Sequence, residues 1–277
     1  MFDLDRWLEI FQTLNKNRLR TILSGVTIAF AIFLFTLLFG VGNGLKHTFE
    51  EQFAGDSQNS VYVRSGRTTK PYKGMQTGRR IQLRNDDTEF IMGKFNEEIE
   101  FFSPTIERGM QANYKQEKGG YTVRGVYPDY QPLESAEIID GRFLNITDIN
   151  KNAKVIAIGR LVEKDLFGNR PALGKYIDLD GFAYKVIGVF SDPGGDGDER
   201  FIYTHFSTMQ SMYKEFDEVD RYGFTYNPGL KVEKAIEFTN LLTKLLKEKH
   251  SVAPRDQGAI RVQNYAEGTK QVQQFMM

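Results

Sequence analysis

Two loops and three histidines are where this sequence could do chemistry. Gly168-Asn-Arg-Pro-Ala-Leu-Gly174-Lys175-Tyr176 has the glycines and the lysine of a phosphate loop, whose backbone amides would cradle an anion. Five residues rather than four separate its glycines, Tyr176 replaces the hydroxyl residue that holds magnesium, and Pro171 removes an amide. It reads as a turn. The loop Asp192-Pro-Gly-Gly-Asp-Gly-Asp-Glu199 gathers four carboxylates, the hard oxygen ligands that calcium takes. Against a calcium-binding EF-hand loop, its third position is Gly194 and its twelfth is Tyr203, where a glutamate should close the ring. A solvated turn between strands is expected there.

His47, His205 and His250 form no ligand pair at helical or hairpin spacing, so no histidine metal site is expected. No serine stands in a Gly-x-Ser-x-Gly elbow. The carboxylate pairs Glu50/Glu51, Asp86/Asp87 and Glu97/Glu98 are adjacent in sequence, and are read as solvated faces and helix caps. Asn145-Ile-Thr147 fits a glycosylation acceptor, a motif too short to carry weight. Cysteine is absent, which excludes disulfides and thiolate chemistry and fits a bacterial extracytoplasmic domain. No catalytic, cofactor or metal constellation emerges. An enzyme is not expected.

The position of everything else is set by Thr21 to Leu45, 25 residues without an ionisable side chain. As a helix it reaches about 37 Å, enough to cross a hydrocarbon core of about 30 Å with some tilt. A buried helix of a soluble core is rarely this long and apolar. A cleavable signal peptide has a shorter apolar region and a small-residue cleavage site, whereas Leu45-Lys46-His47-Thr48-Phe49 is bulky and charged. The segment is therefore expected to stay as an anchor. Within it Gly25 and Ala29, and Gly40 and Gly44, form small-xxx-small pairs that let transmembrane helices approach closely. The helix is expected to run on through Phe49 and Phe53 and to end at Gly55.

Lys16, Arg18 and Arg20 precede the span, and such residues are retained on the cytoplasmic side. Residues 1–20 are thus placed in the cytoplasm and 46–277 outside it. Leu4, Trp7, Leu8, Phe11 and Leu14 form one stripe of a short amphipathic helix lying at the inner surface, Trp7 at the interface. Equal numbers of acidic and basic residues, 36 each, point away from nucleic acid.

After the span, short strands alternate with single helices, which predicts an α+β domain with a mixed sheet and two subdomains. Strands are expected at 60–64, 99–102, 109–115, 121–126, 155–158, 175–179, 182–190, 201–204, 222–226 and 260–262. Lys118-Gly119-Gly120 and Asp180-Gly181 are the expected hairpin turns. Helices are expected at 86–95, 160–167, 207–216 and 230–249, the last with Val232, Ile236, Leu242 and Leu246 toward the core, and another from Ala266. The stretch from Gly66 to Gly78 reads as a mobile loop. The many Phe and Tyr are read as core and subunit contacts.

Several segments resemble one family, the MacB-type ABC transporter permeases, related in membrane architecture to FtsX and the lipoprotein-extraction permeases. They are Leu14 with Asn17-Arg18-Leu19-Arg20-Thr21-Ile22-Leu23-Ser24-Gly25, then Gly42-Asn43-Gly44, and Asp140-Gly141-Arg142-Phe143-Leu144. Further along come Val155-Ile156-Ala157-Ile158-Gly159, Leu173-Gly174-Lys175, Tyr184-Lys185-Val186-Ile187-Gly188-Val189-Phe190 and Ile260-Arg261-Val262-Gln263-Asn264. Their order along nearly the whole chain carries the resemblance.

The resemblance implies a bacterial inner-membrane permease subunit that pairs with a second copy and with a cytoplasmic ABC ATPase, the subunit that binds ATP. Trp7, Phe11, Leu14, Lys16, Arg18 and Arg20 are then candidates for the membrane and ATPase side. Gly25, Ala29, Gly40 and Gly44 are candidates for helix packing. It further implies three more spans beyond residue 277, a lipoprotein, peptide, antibiotic or lipid as substrate, and a periplasmic adaptor as a partner. A single-span sensory or ligand-binding receptor is the alternative, and an anchored hydrolase a third reading. Replacing Lys16, Arg18 and Arg20 with Glu is predicted to invert or scramble the topology; unchanged protease protection of the large domain would count against this orientation.

Overall fold

Ile99–Tyr114, a single 16-residue strand, holds the folded part of the chain together. The computed structural model describes residues 17–54, 59–151, 153–214 and 216–265. The elements begin with α1 (Arg18–Ala54), β1 (Ser60–Ser65), β2 (Leu83–Arg84), α2 (Asn85–Phe95), β3 (Ile99–Tyr114) and β4 (Glu117–Val126). Then come α3 (Tyr130–Leu133), β5 (Glu137–Gly141), α4 (Ile146–Asn150), β6 (Val155–Gly159), α5 (Arg160–Phe167), β7 (Tyr176–Leu179) and β8 (Phe182–Ser191). A 3-10 turn (Asp198–Arg200) leads to β9 (Phe201–His205), α6 (Phe206–Tyr213), β10 (Glu218–Val219), β11 (Arg221–Tyr226), α7 (Val232–Lys249) and β12 (Ile260–Asn264).

The apolar run forms one helix of 37 residues, about 55 Å long. It continues to Ala54, past the span, as its sequence predicts. The helices expected over residues 2–14 and from Ala266 lie outside the described residues, as does Gly55.

The chain divides into two units at Glu50 and Glu51. The second is the mixed α+β domain. Its strands run in the order β12-β1-β11-β3-β4-β9-β6-β8-β5, with β7 bonded to both β3 and β8. Only β4–β9 and β6–β8 are parallel in this sheet. Because β7 joins β3 to β8, the strands β3-β4-β9-β6-β8-β7 close into a ring. Where two subdomains were expected, an open sheet and this ring form parts of one unit. They share β3, whose first half pairs with β11 and whose second half pairs with β4, so they make one compact unit.

Two strands were expected where β3 is continuous. Pro104 can donate no ladder hydrogen bond, and it falls beside the point where β3 exchanges β11 for β4 at Thr105 and Ile106. The hairpin turn also differs from expectation. Tyr114 pairs with Glu117, so the turn is Lys115-Gln116, with Lys115 at φ 56°, and Gly119 and Gly120 lie within β4. A Cβ at Gly119 would meet the Tyr121 ring at 2.6 Å, so that glycine makes room for an aromatic ring rather than a turn. The β7–β8 hairpin forms as predicted, both Asp180 and Gly181 having positive φ, 47° and 89°. Helix α6 stops at Tyr213 because Lys214 takes the left-handed conformation.

Alternation along β1 shows how the core is divided. Val61 and Val63 face one cluster with Ile91 and Phe95 of α2 and Phe238, Leu242 and Leu246 of α7, while Tyr62 faces a second with Tyr130, Phe143, Phe190 and Tyr203. The buried stripe of α7 is Ala235, Phe238, Thr239, Leu242 and Leu246; Ile236 is only half-buried, and the Val232 side chain lies outside the described set. At the edge, β5 carries a bulge between Ile138 and Asp140.

Gly188 lies where β8 passes another backbone: a Cβ there would be 2.1 Å from the Arg142 carbonyl oxygen. Gly188→Ala is predicted to destabilise the domain by about 2–3 kcal/mol. Gly197→Ala, where a Cβ meets nothing within 4 Å and φ is −64°, should change stability by less than about 0.5 kcal/mol. Equal chaotrope midpoints for the two variants would rule out the close approach at Gly188.

Candidate functional site

Arg18 and Arg20 open the first turn of α1, and the apolar side chains that follow, from Leu19 to Val41, are exposed. The stretch Arg18–Gly44 is long and apolar enough to cross a membrane. Three threonines lie in or beside it, and each hydroxyl bonds to a carbonyl one turn earlier: Thr21 to Asn17 at 3.2 Å, Thr27 to Leu23 and Thr36 to Ile32 at 2.8 Å. These hydroxyls are thus satisfied within the helix, as lipid requires. At about 100° per residue, Gly25, Ala29, Gly40 and Gly44 fall within about 100° of arc, so the two small-residue pairs share one side of the helix. A Cβ built on any of the three glycines meets nothing within 4 Å. Trp7, Phe11, Leu14 and Lys16 lie outside the described residues.

In the folded domain several charged side chains form separate, internally matched clusters. At the exchange point of β3, Arg124 Nε donates to Glu107 at 2.8 Å, and both Arg124 and Arg221 donate to the Tyr130 hydroxyl, at 3.2 and 2.8 Å. Burial opposes ionisation of Glu107, but Arg124 and Arg221 outweigh it and lower its pKa. The Arg124 guanidinium lies 3.5 Å over the Phe201 ring. One cluster therefore spans β3, β4, β11 and α3. Nothing in the sequence flagged it except a charge inside an apolar strand, Val123-Arg124-Gly125-Val126.

Asp87, expected as a solvated cap, is fully buried. It does cap, accepting the Arg84 N–H at 2.9 Å, and it also receives Lys249 Nζ at 2.6 Å and His250 Nε2 at 3.0 Å. Burial raises its pKa, and the bonds from His250, Lys249 and Arg84 more than reverse this. Arg142 lowers the pKa of Asp148, whose other titratable neighbour is the buried His205 at 3.9 Å. Burial holds His205 below the usual histidine range. Asn145 of the glycosylation-like motif is a helix cap, accepting the Asp148 N–H at 3.0 Å. The His47 side chain lies outside the described set.

The phosphate-like loop is a turn, with Gly168 and Gly174 at positive φ. Its Ala172 N–H donates to the Glu163 carboxylate at 2.9 Å, where a phosphate cradle would need a free amide. In the acidic loop the carboxylates turn to different neighbours. Asp192 accepts the Gly194 N–H at 2.9 Å, and the buried Glu199 pairs with Arg160 at 2.7 Å. Among the described residues no three His, Asp or Glu side chains converge on a point that could hold a metal ion.

Residues 66–78, expected to be mobile, are pinned. Asp256, buried at the end of the α7–β12 connection, accepts Thr69 N–H at 2.7 Å, Thr69 Oγ1 at 2.8 Å, Lys70 N–H at 3.0 Å and Gly258 N–H at 2.9 Å. These partners lie more than 180 residues earlier in the chain or two residues later, and only the near one is visible in sequence.

The family model of the MacB-like periplasmic core domain matches residues 21–238. The macrolide export ATP-binding/permease protein MacB of Bdellovibrio bacteriovorus is 26% identical over 265 residues, covering 93% of this chain and 40% of that protein. The protein of the same name from Chlorobaculum tepidum is 25% identical over 260 residues, covering 93% and 39%. The chain thus spans about two fifths of the length of these curated relatives. The crystal structure of the periplasmic region of MacB from Actinobacillus actinomycetemcomitans superposes with a TM-score of 0.63 at 19% identity, over 79% of this chain and 94% of that one. The extracellular domain of the transporter YknZ from Gram-positive bacteria gives 0.60 at 18%, over 74% and 100%. At these identities the structures share the fold.

Burial works against ionisation of Asp256, yet its hydrogen bonds from Thr69, Gly258 and Lys70 take its pKa down to about 2. A depressed carboxylate contributes stability that is complete above its unfolded pKa, near 4, and disappears as the pH falls through about 2. Wild type is predicted to lose thermal stability more steeply than Asp256→Asn between pH 4 and pH 2. Amide exchange at Thr69 and Lys70 should be faster in the variant at pH 7. Parallel acid limbs together with unchanged exchange would reject the role given to Asp256.

Proposed function

The chain belongs to the MacB-like periplasmic core domain family, and we propose that it works as the membrane-anchored outer part of an ABC transporter permease. One observation carries this reading: the family match begins inside α1, at residue 21, and continues through the folded domain to residue 238. An apolar helix and the outer domain therefore belong to one evolutionary unit, as a permease that meets its cargo outside the membrane requires.

In this reading the amino end is cytoplasmic, held there by Lys16, Arg18 and Arg20, and residues beyond the span are extracytoplasmic. ATP is bound and hydrolysed by an ABC ATPase against which Trp7, Phe11 and Leu14 rest. The stripe of Gly25, Ala29, Gly40 and Gly44 packs on a transmembrane helix of a second permease copy. Movement at the inner face travels along α1, whose 37 residues exceed what the bilayer needs, and reaches the outer domain. The cargo is a lipoprotein, peptide, antibiotic or lipid. The chain's own part is mechanical rather than catalytic: the clusters around Glu107, Asp87 and Asp148 are each internally compensated, as in groups that hold a scaffold rigid.

The sequence has no cysteine, so single cysteines report without background. In intact spheroplasts a membrane-impermeant maleimide should label Lys118→Cys, and should label Arg18→Cys only after permeabilisation. The protein should co-purify from detergent with an ATPase whose turnover falls several-fold in Trp7→Ala/Phe11→Ala. Reversed labelling would overturn the topology, and an ATPase indifferent to the permease would overturn the coupling.

A further inference from the structure

We propose that a cleft at the end of β1 binds a phosphate-type oxyanion. The cleft has a volume of about 400 Å³ and is lined by Ser65, Gly66, Arg67, Arg80, Gln82 and Asp220. Arg67 and Arg80 are directly opposed across an antiparallel bridge, which sends paired side chains to the same side. Two guanidinium groups so placed repel, and like charges directly opposite one another destabilise a sheet.

Nothing in the lining relieves them. The one carboxylate, Asp220, is committed elsewhere, accepting Arg108 Nη1 at 2.6 Å and the Glu107 N–H at 2.8 Å. Gln82 spends its amide donors on the Val219 and Leu83 carbonyls, at 3.0 and 3.3 Å. Arg67 Nη1 donates to the Gly78 carbonyl at 3.0 Å, which leaves its charge uncompensated. Arg80 has no hydrogen bond or ion pair from its side chain among the described residues. The cleft is thus a polar recess lined by two exposed cations and Ser65, with no carboxylate left to pair with them. An anion from outside completes it. Planar guanidinium groups present paired N–H donors at the spacing of phosphate oxygens, so a phosphate or phosphate ester fits better than a spherical ion. The backbone carrying Gly66 and Arg67 is fixed by its neighbours: Asp256 accepts the Thr69 and Lys70 N–H groups just beyond it, and a Cβ at Gly66 would lie 2.4 Å from the Gly258 carbonyl oxygen.

The test uses the detergent-purified full chain, with inorganic phosphate as probe and binding read by calorimetry and by unfolding temperature. Phosphate should bind saturably and raise that temperature. Arg80→Gln should weaken binding roughly tenfold or more. Because it removes a repelling charge, it should leave the phosphate-free protein as stable as wild type or more so. Arg67→Gln is the second variant and should behave alike in binding. Lys118→Gln, a cation of the β3–β4 hairpin, should bind like wild type. Glycerol 2-phosphate tighter than inorganic phosphate would make an ester the ligand, and weaker binding would make it the free ion; either must lose affinity in Arg80→Gln. Absence of saturable binding, or an equal loss in Lys118→Gln, overturns the proposal.

Discussion

A strand can keep different neighbours along its length only if something fixes the point of exchange. In β3 that point lies between Thr105 and Ile106, where pairing with β11 gives way to pairing with β4. Glu107, Arg124, Arg221 and Tyr130 meet beside it, each from a different element. Burying such charges stabilises little in itself, because the cost of leaving water offsets the attraction. What the cluster contributes is register. A slip of one residue would turn these side chains to the opposite face and leave buried charge unpaired, which is far more costly than the pair is favourable. The open sheet and the ring are therefore held at a defined offset, and β7 can close the ring at Ala112 and Asn113.

The same accounting applies to α1 in another solvent. Apolar side chains alone do not qualify a helix for hydrocarbon; its hydroxyls need partners too. Thr27 and Thr36 find them one turn back, so these hydroxyls need no neighbouring helix. Whatever packs on its glycine-bearing side does so through close contact rather than through missing hydrogen bonds.

What could be read from sequence divides along the range of the interactions. The long apolar helix, the Asp180-Gly181 hairpin, the strand Val155–Gly159 and the stop at Gly168 depend on residues within a few positions of each other, and each signal is complete in one window. The failures involve distant partners. Pro104 looks like a break until its neighbours on β11 and β4 are known. Gly119 looks like a turn until Tyr121 needs its space. Asp87 looks like an exposed cap because Lys249 and His250 are more than 160 residues away. The alignment of Gly25, Ala29, Gly40 and Gly44 on one side of α1 follows from helical spacing alone, whereas the arginine-lined cleft arises from a bridge between Arg67 and Arg80 inside what reads as a loop.

Closure of the ring also decides how the outer domain behaves in a crowd. With β7 spliced between β3 and β8, the sheet path terminates only at β12 and β5. The latter is bent by its bulge and carries Glu137 and Asp140 along an exposed margin. A foreign extended peptide finds no straight, uncharged ledge there on which to zip. At that margin the domain cannot polymerise through its backbone, and any lasting partnership there must be negotiated through side chains.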